Sequence, residues 1–155
     1  MVAVSLKEVV DAMGALSDDT LAYLNPKTGE IVTLSEEDRR LVEDEDLDEE
    51  DLPQWQRDSL PKMREVMESD EFLPLPDKFE IHEWEIMQRF ALGRTSAKQR
   101  EELHAAIHGA GAFRHFKSVV RRLGIEQEWF RFRESALEEI AKDWLEEHGV
   151  PVKSS

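Results

Sequence analysis

The stretch from Gly109 to Gly149, GAGAFRHFKSVVRRLGIEQEWFRFRESALEEIAKDWLEEHG, constrains this chain more than any other. Phe113, Phe116, Val120 and Leu123 recur at helical offsets and so share one face. Gly124 ends that pattern. Ile125 restarts it, Glu126 and Glu128 suit the positive end of a helix dipole, and Trp129, Arg133, Ala136, Ile140 and Trp144 run down one side. Phe130, Leu137, Ala141 and Leu145 widen the stripe. His148, Gly149, Val150 and Pro151 have the order of a helix stop: glycine at C′, an apolar residue to fold back, then proline. Two helices joined by so short a turn are expected to lie side by side as a hairpin, burying Phe113 and Phe116 against Trp129 and Phe130.

A chain of 155 residues suits one domain, here 1–155, with an acidic loop or linker at about 43–52. The absence of cysteine rules out disulfides and thiolate metal sites. The opening MVAVSLKEVVDAMGAL is too polar for a signal peptide or membrane span, so a cytoplasmic location and no membrane contact are expected. The formal charge of -15 is uneven: residues 1–79 carry 22 acidic and 8 basic side chains, residues 80–155 carry 13 and 12. The first half therefore holds nearly all of the excess, and any phosphate must be met by a local patch in the second.

Taken in order, Ser5 and Glu8 have capping-box spacing before a helix to about Leu16. Leu21, Tyr23 and Ile31 to Leu34 flank Asn25-Pro-Lys-Thr-Gly29 as a β-hairpin. Ser35 caps a further short helix. Glu43 to Asp51 follows, eight acids in nine residues broken only by Leu47, and reads as a solvated loop or frayed helix end. Pro53 starts a helix carrying Trp55, in which Pro61 marks a kink or a second start. Phe72 to Pro76 is extended, an edge strand or a connector. Asp77 and Glu80 open a helix to Gly93 with Phe79, Trp84, Met87, Phe90 and Ala91 inward, and Ser96 and Gln99 open another with Leu103, Ala106 and Ile107 inward. The expected fold is α+β and mainly α-helical: an N-terminal helix and β-hairpin packed on a C-terminal helical bundle.

The segments FLPLPDKFEIHEWEIMQRFA, GAGAFRHFKSVVRRLGIEQEWFRFRESALEEIAKDWLEEHG and LAYLNPKTGEIVTL resemble the bacterial family catalogued as uncharacterised protein family 0158. The resemblance covers most of the chain and rests chiefly on Pro76 to Trp84 and Gly109 to Lys117. It implies a single compact bacterial domain and brings no activity with it.

Three groups of residues are candidates for chemistry. Gly109 and Gly111 lead into a helix N-terminus, where backbone N–H groups and the dipole favour an anion, and Arg114, Lys117 and Arg121 follow as a row with Arg122 alongside and Arg131 and Arg133 on the next helix. The competing reading is a tight turn whose arginines pair with Glu126, Glu128, Glu134 or the acidic segment. His104 and His108 lie one turn apart, but with neither an HExxH glutamate nor cysteine they read first as solvent-facing side chains, and no metal is expected. Glu80, Glu83 and Glu85 surround His82 and Trp84, where acid–base work would need a pocket to shift their titration.

No cofactor is expected. The leading expectation is a non-enzymatic regulatory or adaptor protein that meets a macromolecular partner, first of all a protein, through the acidic residues Glu43, Asp44, Glu45, Asp46, Glu49, Glu50 and Asp51 and the basic row. Binding of RNA, DNA or a nucleotide at Gly109, Gly111, Arg114 and Lys117 is the alternative, and a metal-assisted hydrolase the third.

Overall fold

The computed structural model describes residues 1–94 and 96–153. The fold is α+β and mainly helical. Its contacts divide into two compact units, one made of Met1–Lys78 with the segment from Ala141 onward, the other of Phe79–Ile140.

In the first unit, helix α1 (Leu6–Gly14) is capped by the Ser5 hydroxyl, which accepts from the Glu8 N–H at 3.3 Å. Strands β1 (Thr20–Leu24) and β2 (Ile31–Ser35) pair antiparallel in the register Tyr23↔Val32, and the two-residue β3 (Leu73–Pro74) adds to the other side of β1. The order β2-β1-β3 leaves the proline-bearing strand at an edge, where its missing N–H costs no ladder bond. Buried Asn25 holds the hairpin turn: its Oδ1 accepts from the Lys27 N–H at 2.9 Å, and its carbonyl accepts from Gly29, which sits at φ +80°. Helix α2 (Glu36–Glu43) begins with a complete capping box between Ser35 and Asp38.

Helix α3 (Gln54–Glu68) runs through Pro61 as one element. Pro61 and Arg57 are both exposed, so the helical bond that Pro61 cannot make is lost on the outer face of α3. The inner face of α3 places Leu60, Met63 and Val66 with Leu34 and Phe72 in a buried cluster. Hydrogen bonds to Glu65 and Glu30 raise Lys62 above its ordinary titration range and tie α3 to the hairpin turn. The chain's two ends meet: the Val4 N–H donates to Pro151, and the Lys153 N–H donates to Val4.

In the second unit, α4 (Lys78–Ile81) is one short turn beginning at the boundary, followed by α5 (Glu83–Leu92), α6 (Ala97–Ala106), α7 (Ala112–Arg122) and the first part of α8 (Glu126–Glu147). The ring of Phe90 meets those of Trp129, Phe132 and Phe116 at centroid distances of 5.3, 5.4 and 6.2 Å, and Phe116 packs on Trp129 at 4.8 Å. Gly124 ends α7 at φ +72°, with the Ile125 N–H donating to Val120 and the Gly124 N–H to Arg121. Gly149 ends α8 in the same way at φ +67°, through Val150 to Leu145 and Gly149 to Glu146. Both are Schellman ends, and the folded-back Ile125 and Val150 are buried as that motif asks.

Two sequence expectations fail here. The helix expected from Asp77 to Gly93 breaks at His82, whose φ of 56° and ψ of 59° are left-handed and whose carbonyl restarts the ladder by accepting from Glu85 and Ile86. The break leaves Phe79 72% exposed and turns Trp84 to the surface. The last two helices are joined tightly, but the backbone that runs beside α7 is that of α6. Phe116 and Trp129 do meet, whereas Phe113 and Phe130 are 43% and 54% exposed, because the space around Phe90 is filled by Phe116 from α7 and by Trp129 and Phe132 from α8.

A Cβ at Gly124 would meet open space, so Gly124→Ala tests the left-handed backbone alone. It is expected to cost about 1–2 kcal/mol, read as a lowered midpoint in urea denaturation followed by helical circular dichroism. An unchanged midpoint would mean that the glycine does not set this helix end.

Candidate functional site

The turn before α7 carries Gly109 at φ +90° and Gly111 at φ +76°, a conformation that side chains rarely adopt. Gly111 is the N-cap, and its carbonyl accepts the first helical bond, from His115 at 2.9 Å. An open hollow of about 790 Å³ lies against this turn, lined by Trp84, Ile107, His108, Ala112, Phe113 and Arg114 as well as the two glycines. The Trp84 indole N–H donates to the Ile107 carbonyl at 2.8 Å, which fixes the ring, and His108 sits edge-on to it at 6.2 Å. Among the described residues no carboxylate lines the hollow. Its chemistry is an aromatic wall, an imidazole, a guanidinium and the backbone end of a helix, a combination suited to an anion with an apolar part.

The basic row divides into two halves. Arg114 and Lys117 are exposed and have no carboxylate partner among the described residues. Arg121, expected to extend the row, donates to Glu126 at 3.0 Å, and Arg122 donates to Glu102 at 3.1 Å. Those two charges are met locally, so the row's second half corrects the expectation of a continuous cationic face. Arg131 lines another hollow of about 390 Å³ with Phe90, Arg94, Glu128 and Phe132, in which Arg94 already bonds Glu128 at 2.5 Å and lies over the Phe90 ring. Arg133 grips Glu83 through Nε at 2.9 and 3.2 Å and through a terminal nitrogen.

That grip decides the carboxylate candidate. Glu83 is held on both oxygens with its side chain 14% exposed, which leaves it an ion-pair partner of Arg133 and not a base open to substrate. Glu80, His82 and Glu85 are exposed. His104 and His108 approach each other, with Nε2 atoms 3.4 Å apart, and no three metal-ligating side chains gather anywhere among the described residues.

The acidic run is built into the fold. Glu43 closes α2, Asp44 accepts from the Asp46 N–H, and Asp48 caps a single 3₁₀ turn, Glu49–Asp51. Leu47 and Leu52 pack against the Leu34–Leu60–Phe72 cluster, and Glu49 pairs with Arg64 on α3 at 2.8 Å. All eight acids are exposed. Just beyond, Trp55 is 67% exposed in the first turn of α3. Neither the exposure of Trp55 nor the place of Trp84 as a wall of the hollow was legible from residue spacing. Helical spacing marks both as apolar, and only the break at His82 turns Trp84 outward. No helix of the described residues is long and apolar enough to cross a membrane.

Arg133→Ala strands the Glu83 carboxylate at low exposure and is expected to cost about 2–3 kcal/mol in urea denaturation. Arg121→Ala removes an exposed pair and should stay within about 0.5 kcal/mol. Equal effects would show that the first pair is no better protected from water than the second.

No protein-family model matches the chain, and neither the curated proteins nor the solved structures hold a significant match to it.

Proposed function

We propose that this chain is a non-enzymatic binding protein, an adaptor or regulator, that holds a basic macromolecular partner on the acidic surface from Glu43 to Asp51. The observation that carries this reading is the anchoring of the run: Leu47 and Leu52 are partly buried against the Leu34–Leu60–Phe72 cluster and Glu49 pairs with Arg64 at the surface, so the remaining carboxylates are displayed on backbone tied to the fold at both sides. A display so tied loses less entropy on binding than a free acidic tail would. Exposed Trp55 beside it is of the residue type that most often anchors interfaces and accepts cationic side chains on its face.

The reading is tested with Glu45→Lys, Asp46→Lys and Glu50→Lys together, whose side chains cap nothing and pair with nothing among the described residues. Capture of a Lys- and Arg-rich protein or peptide should weaken at least about tenfold, equivalent to about 1.4 kcal/mol, with the helical circular dichroism unchanged. Capture at parental strength would count against the proposal.

A second reading is favoured by the hollow beside Gly109 and Gly111: an anion, as free nucleotide or as phosphate of RNA or DNA, held by Arg114 and Lys117. The uncompensated pair of cations at the start of α7 supports it, as does the lack of any lining carboxylate. Arg114→Ala with Lys117→Ala should abolish binding of a nucleotide or short oligonucleotide, and parental binding should fall steeply as salt rises from about 50 to 200 mM. Binding that ignores salt would remove this reading. The resemblance to family 0158 supports neither ligand over the other.

A further inference from the structure

We propose that His104 and His108 chelate one divalent first-row transition-metal ion of the kind that imidazole favours, Cu²⁺, Ni²⁺ or Zn²⁺. The two residues stand one turn apart at the end of α6 and just beyond it, and both are exposed. Their Nε2 atoms are 3.4 Å apart while their ring centres are 4.6 Å apart, so the nitrogens are the parts of the rings that converge. This separation is long for a hydrogen bond from a ring N–H, for which about 3.0 Å is usual. It matches the span across a shared ion: two nitrogens each about 2.0–2.1 Å from a tetrahedral centre are about 3.3–3.4 Å from one another.

The surroundings favour one class of ion. No third histidine, aspartate or glutamate joins the pair to make a larger cluster among the described residues, so calcium and magnesium, which need several oxygen ligands, are poorly served. Two neutral imidazoles select borderline ions, and water completes the shell because both rings face solvent. The His108 ring is also braced: it rests edge-on against Trp84, whose own N–H is tied to the Ile107 carbonyl. A ligand braced in this way loses less freedom when it binds. The chelate itself does not depend on the anion reading. If that reading holds, His108 as a wall of the hollow would set the ion's open positions beside Arg114, where they would add to its pull on an anion.

The test uses the full chain titrated with each of the three metal salts, followed by calorimetry and by tryptophan fluorescence. One ion per chain is expected, with Cu²⁺ held more tightly than Ni²⁺ or Zn²⁺. His104→Ala and His108→Ala should each weaken it by at least roughly the tenfold that loss of a mere supporting partner costs. His115→Ala should bind as the parent does, and circular dichroism should report the same fold in all variants. Cu²⁺ should quench fluorescence, and Trp84→Phe should lose much of that quenching. Binding that survives loss of either histidine, or no binding in the parent, overturns the proposal. Whether nucleotide binds is read separately in the absence of metal, so the two readings fail independently.

Discussion

The Phe90 ring, with Phe116, Trp129 and Phe132 around it, sets which way the helices of the second unit face. At about 100° per residue, fixing Phe116 inward puts Val120 within about 40° of it, Phe113 about 60° away, and Arg114 and Lys117 about 160° and 100° away. The burial agrees: Phe116 and Val120 are buried, Phe113 is 43% exposed, and both cations are exposed. One packed aromatic cluster thus delivers the exposed guanidinium and ammonium at the start of α7, with no ion pair among the described residues to hold them there.

The acidic surface is delivered by the same kind of force in the first unit. Eight neighbouring carboxylates repel one another, and nothing in their own chemistry would hold them in one conformation. Leu47 and Leu52 supply what is missing by burying apolar area among Leu60, Met63 and Phe72 at either side of the 3₁₀ turn. The one neutralising contact in the run among the described residues, Arg64 to Glu49, spans an exposed pair and contributes little beside that burial. In both units apolar side chains do the positioning and the charged ones are carried along.

What could be read from sequence divides by range. The ends of α2, α7 and α8 were legible because capping boxes and left-handed glycines act within six residues: Ser35 with Asp38, Gly124 with Ile125, Gly149 with Val150. At Leu73–Pro74 only the pairing with β1 decides for an edge strand over a connector, but the extended backbone was legible because each proline bars its predecessor from the helix. The turn at His82 was not, since a non-glycine residue enters the left-handed region only when its surroundings impose it. Nor were the partners of Arg122 and Arg133, which lie 20 and 50 residues away on other helices. The hollow follows from those unread features. It needs Trp84 turned outward by the His82 break and pinned to Ile107, neither of which has a periodic signature.

The charge distribution then bears on what size of anion the hollow suits. Within the second unit Arg94, Arg121, Arg122 and Arg133 are met by glutamates, whereas Arg114 and Lys117, the cations that follow Gly111 on α7, have no carboxylate partner among the described residues. At physiological salt their potential fades over about 8 Å. A ligand small enough to enter a space of about 790 Å³ stays inside this range and feels the two cations together with the helix end. A long polyanion reaches beyond it and meets a chain whose formal charge is -15. Among phosphate ligands the physics therefore favours a short one, a nucleotide or a single-stranded end, over a duplex that would need a continuous basic face.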